Sequence, residues 1–119
     1  METLQIRLDS FKTYKEGWMN GEGEVFSVIG LDWLYEKFEA NYGKDLLLPA
    51  TFPTLDGCVQ FEWVKNHHDV SLNVNLTDRT GNLNYYSITR EEVEFDYNLD
   101  EASEWMLLNN FLNKFFSKS

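Results

Sequence analysis

The 119-residue chain holds a single cysteine, Cys58, and two prolines, Pro49 and Pro53. One thiol excludes an internal disulfide framework and a multi-cysteine zinc site, and it sits more naturally in a reducing compartment. No stretch approaches the roughly eighteen consecutive apolar residues of a membrane span; the runs Leu46–Leu48 and Trp105–Leu108 are core-sized. Glu2, Arg7 and Asp9 interrupt the N-terminus where a signal peptide needs an unbroken apolar stretch, so a cytoplasmic location is expected. Positive charge is also scarce. Ten Lys and Arg face twenty Asp and Glu, for a net charge of -10 and a pI near 4.5. Such a surface repels phosphate backbones and anionic lipid, which argues against direct nucleic-acid or membrane binding. The best basic cluster, Arg7, Lys12 and Lys15, is diluted by Asp9 and Glu16.

Against these shortages stand 43% hydrophobic and 16% aromatic residues, a composition that folds. The length fits one domain, residues 1–119. Residues 3–15 are ambiguous: Leu4, Ile6 and Leu8 alternate as in a strand, whereas Leu4, Leu8 and Phe11 have helical spacing. With no Gly or Pro before Gly17, a helix is favoured. A second helix is expected from Ser27, a capping residue, to Tyr42, with Val28, Leu31, Leu34, Tyr35, Phe38 and Tyr42 on one face and Gly43 as a left-handed stop. Pro49 and Pro53 hold Leu48–Thr54 extended. Four strands then follow, around Val59–Val64, Val70–Thr77, a third through Leu83, Tyr85 and Ser87 or, with the register shifted, through Tyr86 and Ile88, and Glu92–Leu99, with turns at Asn66–Asp69 and Asp78–Asn82. A closing helix begins near Asp100, capped by Asp100 or Asn98, and buries Trp105, Leu108, Leu112, Phe115 and Phe116. The expected class is α+β: two N-terminal helices, an antiparallel meander of about four strands, and a C-terminal helix on the sheet.

Within this layout Trp18, Gly21 and Gly23 precede a helix, and Pro53-Thr54, Asp56-Gly57, Val59-Gln60 and Glu62-Trp63 lead into Leu72, Val74 and Leu76. This pattern resembles a group of small, uncharacterised bacterial proteins, across roughly residues 15 to 90. The chain departs from the commoner form of the glycine element at Met19-Asn20. The resemblance implies the layout and a bacterial or phage origin, and it carries no activity. In size, charge and layout the chain is also similar to bacterial toxin-immunity proteins.

Chemistry-bearing residues are few. Adjacent His67 and His68 point to opposite sides of a strand and read as a polar hairpin turn rather than a metal pair. Cys58 has no basic neighbour to activate it. Asp56 and Glu62 lie about 20 Å apart on extended chain, too far to share a reaction. Strand alternation turns Trp63 inward and leaves Glu62 solvated. Gly21-Glu22-Gly23 lacks the lysine and the third glycine of a phosphate loop. No catalytic residue, metal or cofactor is expected.

The strongest composition signal is the segment Glu91 to Glu104, which carries Glu91, Glu92, Glu94, Asp96, Asp100, Glu101 and Glu104 and no Lys or Arg. Such a single-sign surface accelerates and orients docking of a basic partner. Tyr85, Tyr86 and Tyr97 lie on neighbouring strands and are favoured contact residues. These residues form the candidate partner-binding site. The first expectation is a non-enzymatic inhibitor, an immunity protein or antitoxin that neutralises a basic toxin. The second is a phage or plasmid anti-defence protein that imitates nucleic acid and occupies a defence nuclease. A third, a small enzyme or ligand-binding domain, would use Glu62, His67 or His68. Monomer and homodimer both remain open.

Overall fold

Strict alternation from Val59 onward dictates a sheet with one apolar and one polar face. The structure, a computed structural model, describes residues 3–89 and 92–118. Two N-terminal helices, α1 (Leu4–Phe11) and α2 (Val28–Asn41), come first. Five strands follow: β1 (Ala50–Pro53), β2 (Val59–Lys65), β3 (His68–Asn75), β4 (Thr80–Ser87) and β5 (Glu92–Asn98). Helix α3 (Ala102–Asn113) closes the chain. The strands pair antiparallel in sequence order, β1-β2-β3-β4-β5, and the helices cover the inner face.

The class and order of elements agree with the sequence, but there are five strands rather than four. The extra one, β1, comes from the proline-flanked segment. It is only four residues long and sits at an edge of the sheet, the position where a proline, which has no N–H to donate to a ladder, is tolerated. The hairpin turn between β2 and β3 is also tighter than expected. Asn66 and His67 alone make it, both at positive φ (50° and 68°), while His68 and Asp69 already belong to β3.

Ser27 caps α2 as expected, its hydroxyl accepting from the Gly30 N–H at 3.0 Å. Gly43 is not a left-handed stop: Tyr42 ends the helix in extended conformation. Gly43 instead lets the chain pass close to Leu46, whose Cδ1 would lie 3.0 Å from an added Cβ, and its N–H donates to Asn109 on α3. The N-cap of α3 is Glu101, without a side-chain bond, rather than Asp100 or Asn98. Asp100 is drawn away by other partners described below.

The core lies between sheet and helices. Val59, Phe61 and Trp63 of β2, Val70, Leu72 and Val74 of β3, and Leu83 and Tyr85 of β4 are buried against Leu8, Phe11, Leu31, Leu34, Phe38, Trp105, Leu108, Leu112 and Phe116. Trp63 is inward, so Glu62 faces out. Val28, expected on the buried face of α2, is exposed, and Trp33 takes a buried place instead. Trp18 forms a lid over Tyr14 and Phe26. Gly23 is required beneath it, since a Cβ there would fall 2.4 Å from Trp18 Nε1. Cys58 is buried, and desolvation together with the charge of Asp56 pushes its thiol up to about 11.

Candidate functional site

The outer face of the sheet can be read as rows across the strands, because register fixes which side chains are neighbours. One row runs Phe52, Gln60, Asn73, Asn82, Asp96, and the next Ala50, Glu62, Ser71, Asn84, Glu94. A third holds Val64, Asp69, Tyr86 and Glu92. The face is apolar at β1 and mixed on β2, β3 and β4, where Glu62 and Asp69 are single carboxylates among amide, hydroxyl and apolar side chains, and it carries three carboxylates in succession on β5.

Glu92, Glu94 and Asp96 are all exposed on that outer face. The amide of Asn82 donates to Glu94 Oε2 at 3.2 Å and to Asp96 Oδ1 at 2.8 Å, while its oxygen accepts from Asn84 at 2.9 Å. This chain of amides fixes two carboxylates in place without neutralising them. Tyr86, 48% exposed, lies directly across from Glu92. A shallow depression of about 270 Å³ opens beside them, with Asn84, Glu92 and Glu94 in its lining.

The rest of the acidic segment has other duties. Asp100 Oδ1 accepts from Trp33 Nε1 at 2.8 Å and from Arg79 at 3.3 Å, and its backbone carbonyl accepts from Lys37. The Trp33 N–H, with Arg79 beside it, holds the Asp100 carboxyl below the usual carboxylate range. Asp100 thus ties the β5–α3 turn to α2. Glu104 accepts from the Asn98 N–H at 3.2 Å, stabilising the same turn. Glu101 is exposed near it. Glu91 lies outside the described residues.

Two of the three tyrosines leave the surface. Tyr85 is 4% exposed on the inner face, where its hydroxyl meets His68 Nδ1 at 2.8 Å and its ring stacks on Phe115 at 5.0 Å. Tyr97 is likewise buried, and desolvation, with the Glu104 charge nearby, pushes its phenol up to about 12. Inward strand parity explains both: Tyr85 is in step with Leu83, and Tyr97 pairs with buried Gly81.

Sequence reasoning missed the apolar component beside the acids. Phe95 is 42% exposed at the sheet edge and meets Phe111 of α3 edge-on at 5.5 Å. Leu107, one helical turn before Phe111, is 54% exposed. Phe95 alternates with the acids as a core residue would, whereas Leu107 lies off the buried stripe of Trp105, Leu108 and Leu112, and only the edge position of β5 relates the two.

The residues of the enzymatic alternative do not converge. Glu62 is on the outer face, hydrogen-bonded by Gln60 at 2.9 Å, His68 is on the inner face against Phe115, and His67 occupies the exposed turn. Among the described residues no group of three or more His, Cys, Asp or Glu is placed to hold a metal ion. A cavity of about 640 Å³ is an open groove between α1, α2 and β1, lined mostly by apolar groups such as Leu4, Phe38, Leu48 and Phe52 with Arg7 and Glu39. No helix among the described residues is long and apolar enough to cross a membrane. Compared with protein-family models, curated proteins and solved structures, the chain finds no match.

Proposed function

We propose that the chain is a non-enzymatic binding protein that captures a basic protein in the cytoplasm and inhibits it, as an immunity protein or antitoxin inhibits a toxin. One observation carries this reading: Glu92, Glu94 and Asp96 stand exposed in a row on β5, with Asn82 fixing two of them and, among the described residues, uncharged Tyr86, Asn84 and Asn82 as their cross-strand partners. Carboxylates held in advance lose little side-chain freedom on binding, and a field of one sign attracts a basic surface from a distance. Tyr86 adds an exposed aromatic at the same place.

The test is affinity capture with two baits, the natural chain and the triple variant Glu92→Lys, Glu94→Lys, Asp96→Lys, washed with rising salt. The natural bait should retain a basic protein at low salt and release it as salt rises, and the variant should retain none of it. Adding the natural chain to the captured protein should then abolish that protein's activity. Capture of the same proteins by both baits contradicts the reading. A captured nucleic-acid-binding defence complex, in place of a toxin, would move the chain to the nucleic-acid-mimic class.

A further inference from the structure

We infer that the free edge of β5 is a template for strand addition, and that its ligand is an extended segment of the basic partner in which Lys or Arg alternates with apolar residues. The inference rests on the proposed function and adds to it the mode of recognition.

Strand β5 pairs, among the described residues, only with β4. Among the described residues, no turn, loop, cap or side chain makes a hydrogen bond to the backbone of Glu92 through Tyr97 on the other side. That leaves a row of outward N–H and C=O groups about 20 Å long, the feature that added strands use. The opposite edge is different. Strand β1 has four residues, Arg7 Nε already donates to its Thr51 carbonyl at 2.9 Å, and Pro53 has no N–H to offer.

The two faces of β5 specify the incoming side chains. An added strand continues the pleat, so its residues point alternately outward and inward. Outward residues would stand beside Glu92, Glu94 and Asp96, where only cations are favoured. Inward residues would stand beside Phe95, which meets Phe111 of α3, and Leu107 lies one helical turn before Phe111 on the same side of that helix, so apolar groups are favoured there. Cross-strand pairs of both kinds stabilise. A second copy of β5 is a poor occupant, because its own carboxylates would face these ones. Charge alone already protects an edge from self-pairing, but protection does not require an exposed Phe95 and Leu107.

The test uses two fluorescein-labelled octapeptides of identical composition, one with Lys and Val alternating and one with four Lys followed by four Val. Binding is followed by anisotropy at low salt. The alternating peptide should bind at least tenfold more tightly, and Leu107→Asn, a change at an exposed helix position, should reduce that preference. Equal affinity for both peptides overturns strand addition while leaving the acidic binding face intact. If neither peptide binds, both strand addition and the acidic binding face are overturned.

Discussion

The two edges of this sheet solve the same problem in opposite ways. At the β1 edge, polar groups are turned inward and used. Tyr42 donates to the Leu47 carbonyl and accepts from Trp63 Nε1 at 2.8 Å, and Arg7 bonds Thr51, while Leu48 and Val64 are left 69% exposed. At the β5 edge the polar groups face out: carboxylates are braced by Asn82, and apolar Phe95 closes over Phe111 from the inner side. An edge whose hydrogen bonds are consumed internally contributes to stability, whereas one whose charges are held but not neutralised is available to a partner. Net charge alone cannot distinguish these cases, since Asp100 and Glu104 belong to the same acidic segment and are committed to the fold.

The largest expected effect comes from detaching the helix that backs β5. Trp105 is 1% exposed and its Nε1 donates to the Leu99 carbonyl at 2.7 Å. Trp105→Ala should cost about 4 kcal/mol in denaturant unfolding, from lost burial and the cavity left behind. At the other edge, Tyr42→Phe removes a buried hydroxyl and leaves Trp63 Nε1 with only the Leu47 carbonyl at 3.3 Å. It should cost about 1–2 kcal/mol, close to the value of a buried hydrogen bond with an imperfect replacement.

Alkali should strike both edges together. Burial raises the phenols of Tyr42 and Tyr97 from 10 to about 12. A folded pKa above the unfolded one stabilises fully below pH 10, and that contribution is lost as pH rises through 12. Stability should therefore fall between pH 10 and 12, and Tyr97→Phe should shallow the fall when followed by circular dichroism. An unchanged slope would place the alkaline loss elsewhere.

The smallest effect belongs to acid. The Asp100 carboxyl, held down chiefly by the Trp33 N–H, stabilises above its unfolded value near 4, and this is lost as pH falls through the lower folded value. Asp100→Asn should slightly flatten the acid limb of the stability profile and leave peptide binding at β5 unchanged.

Much of this architecture is legible in the sequence, because strict alternation in Val59–Trp63 and Val70–Leu76 fixes parity and hence which residues enter the core. The α+β order and the acidic outer face of β5 follow from the same periodicity. What stays hidden depends on long-range pairing. Strand β1 carries no alternation of its own and exists because it registers against Val59–Glu62. The internal use of Asp100 requires Trp33 and Arg79, 67 and 21 residues away. Tyr85 and Tyr86 carry the same signal and only register separates the buried one from the exposed one, whereas Tyr97 follows the alternation that puts Glu94 and Asp96 outside.

The central claim is that β5, and not β1, receives the partner. Amide hydrogen exchange with and without the alternating Lys-Val octapeptide tests it most directly. Added protection across Glu92–Asn98, with Ala50–Pro53 unchanged, is the expected result. Protection at Ala50–Pro53 with none at β5 would contradict the account.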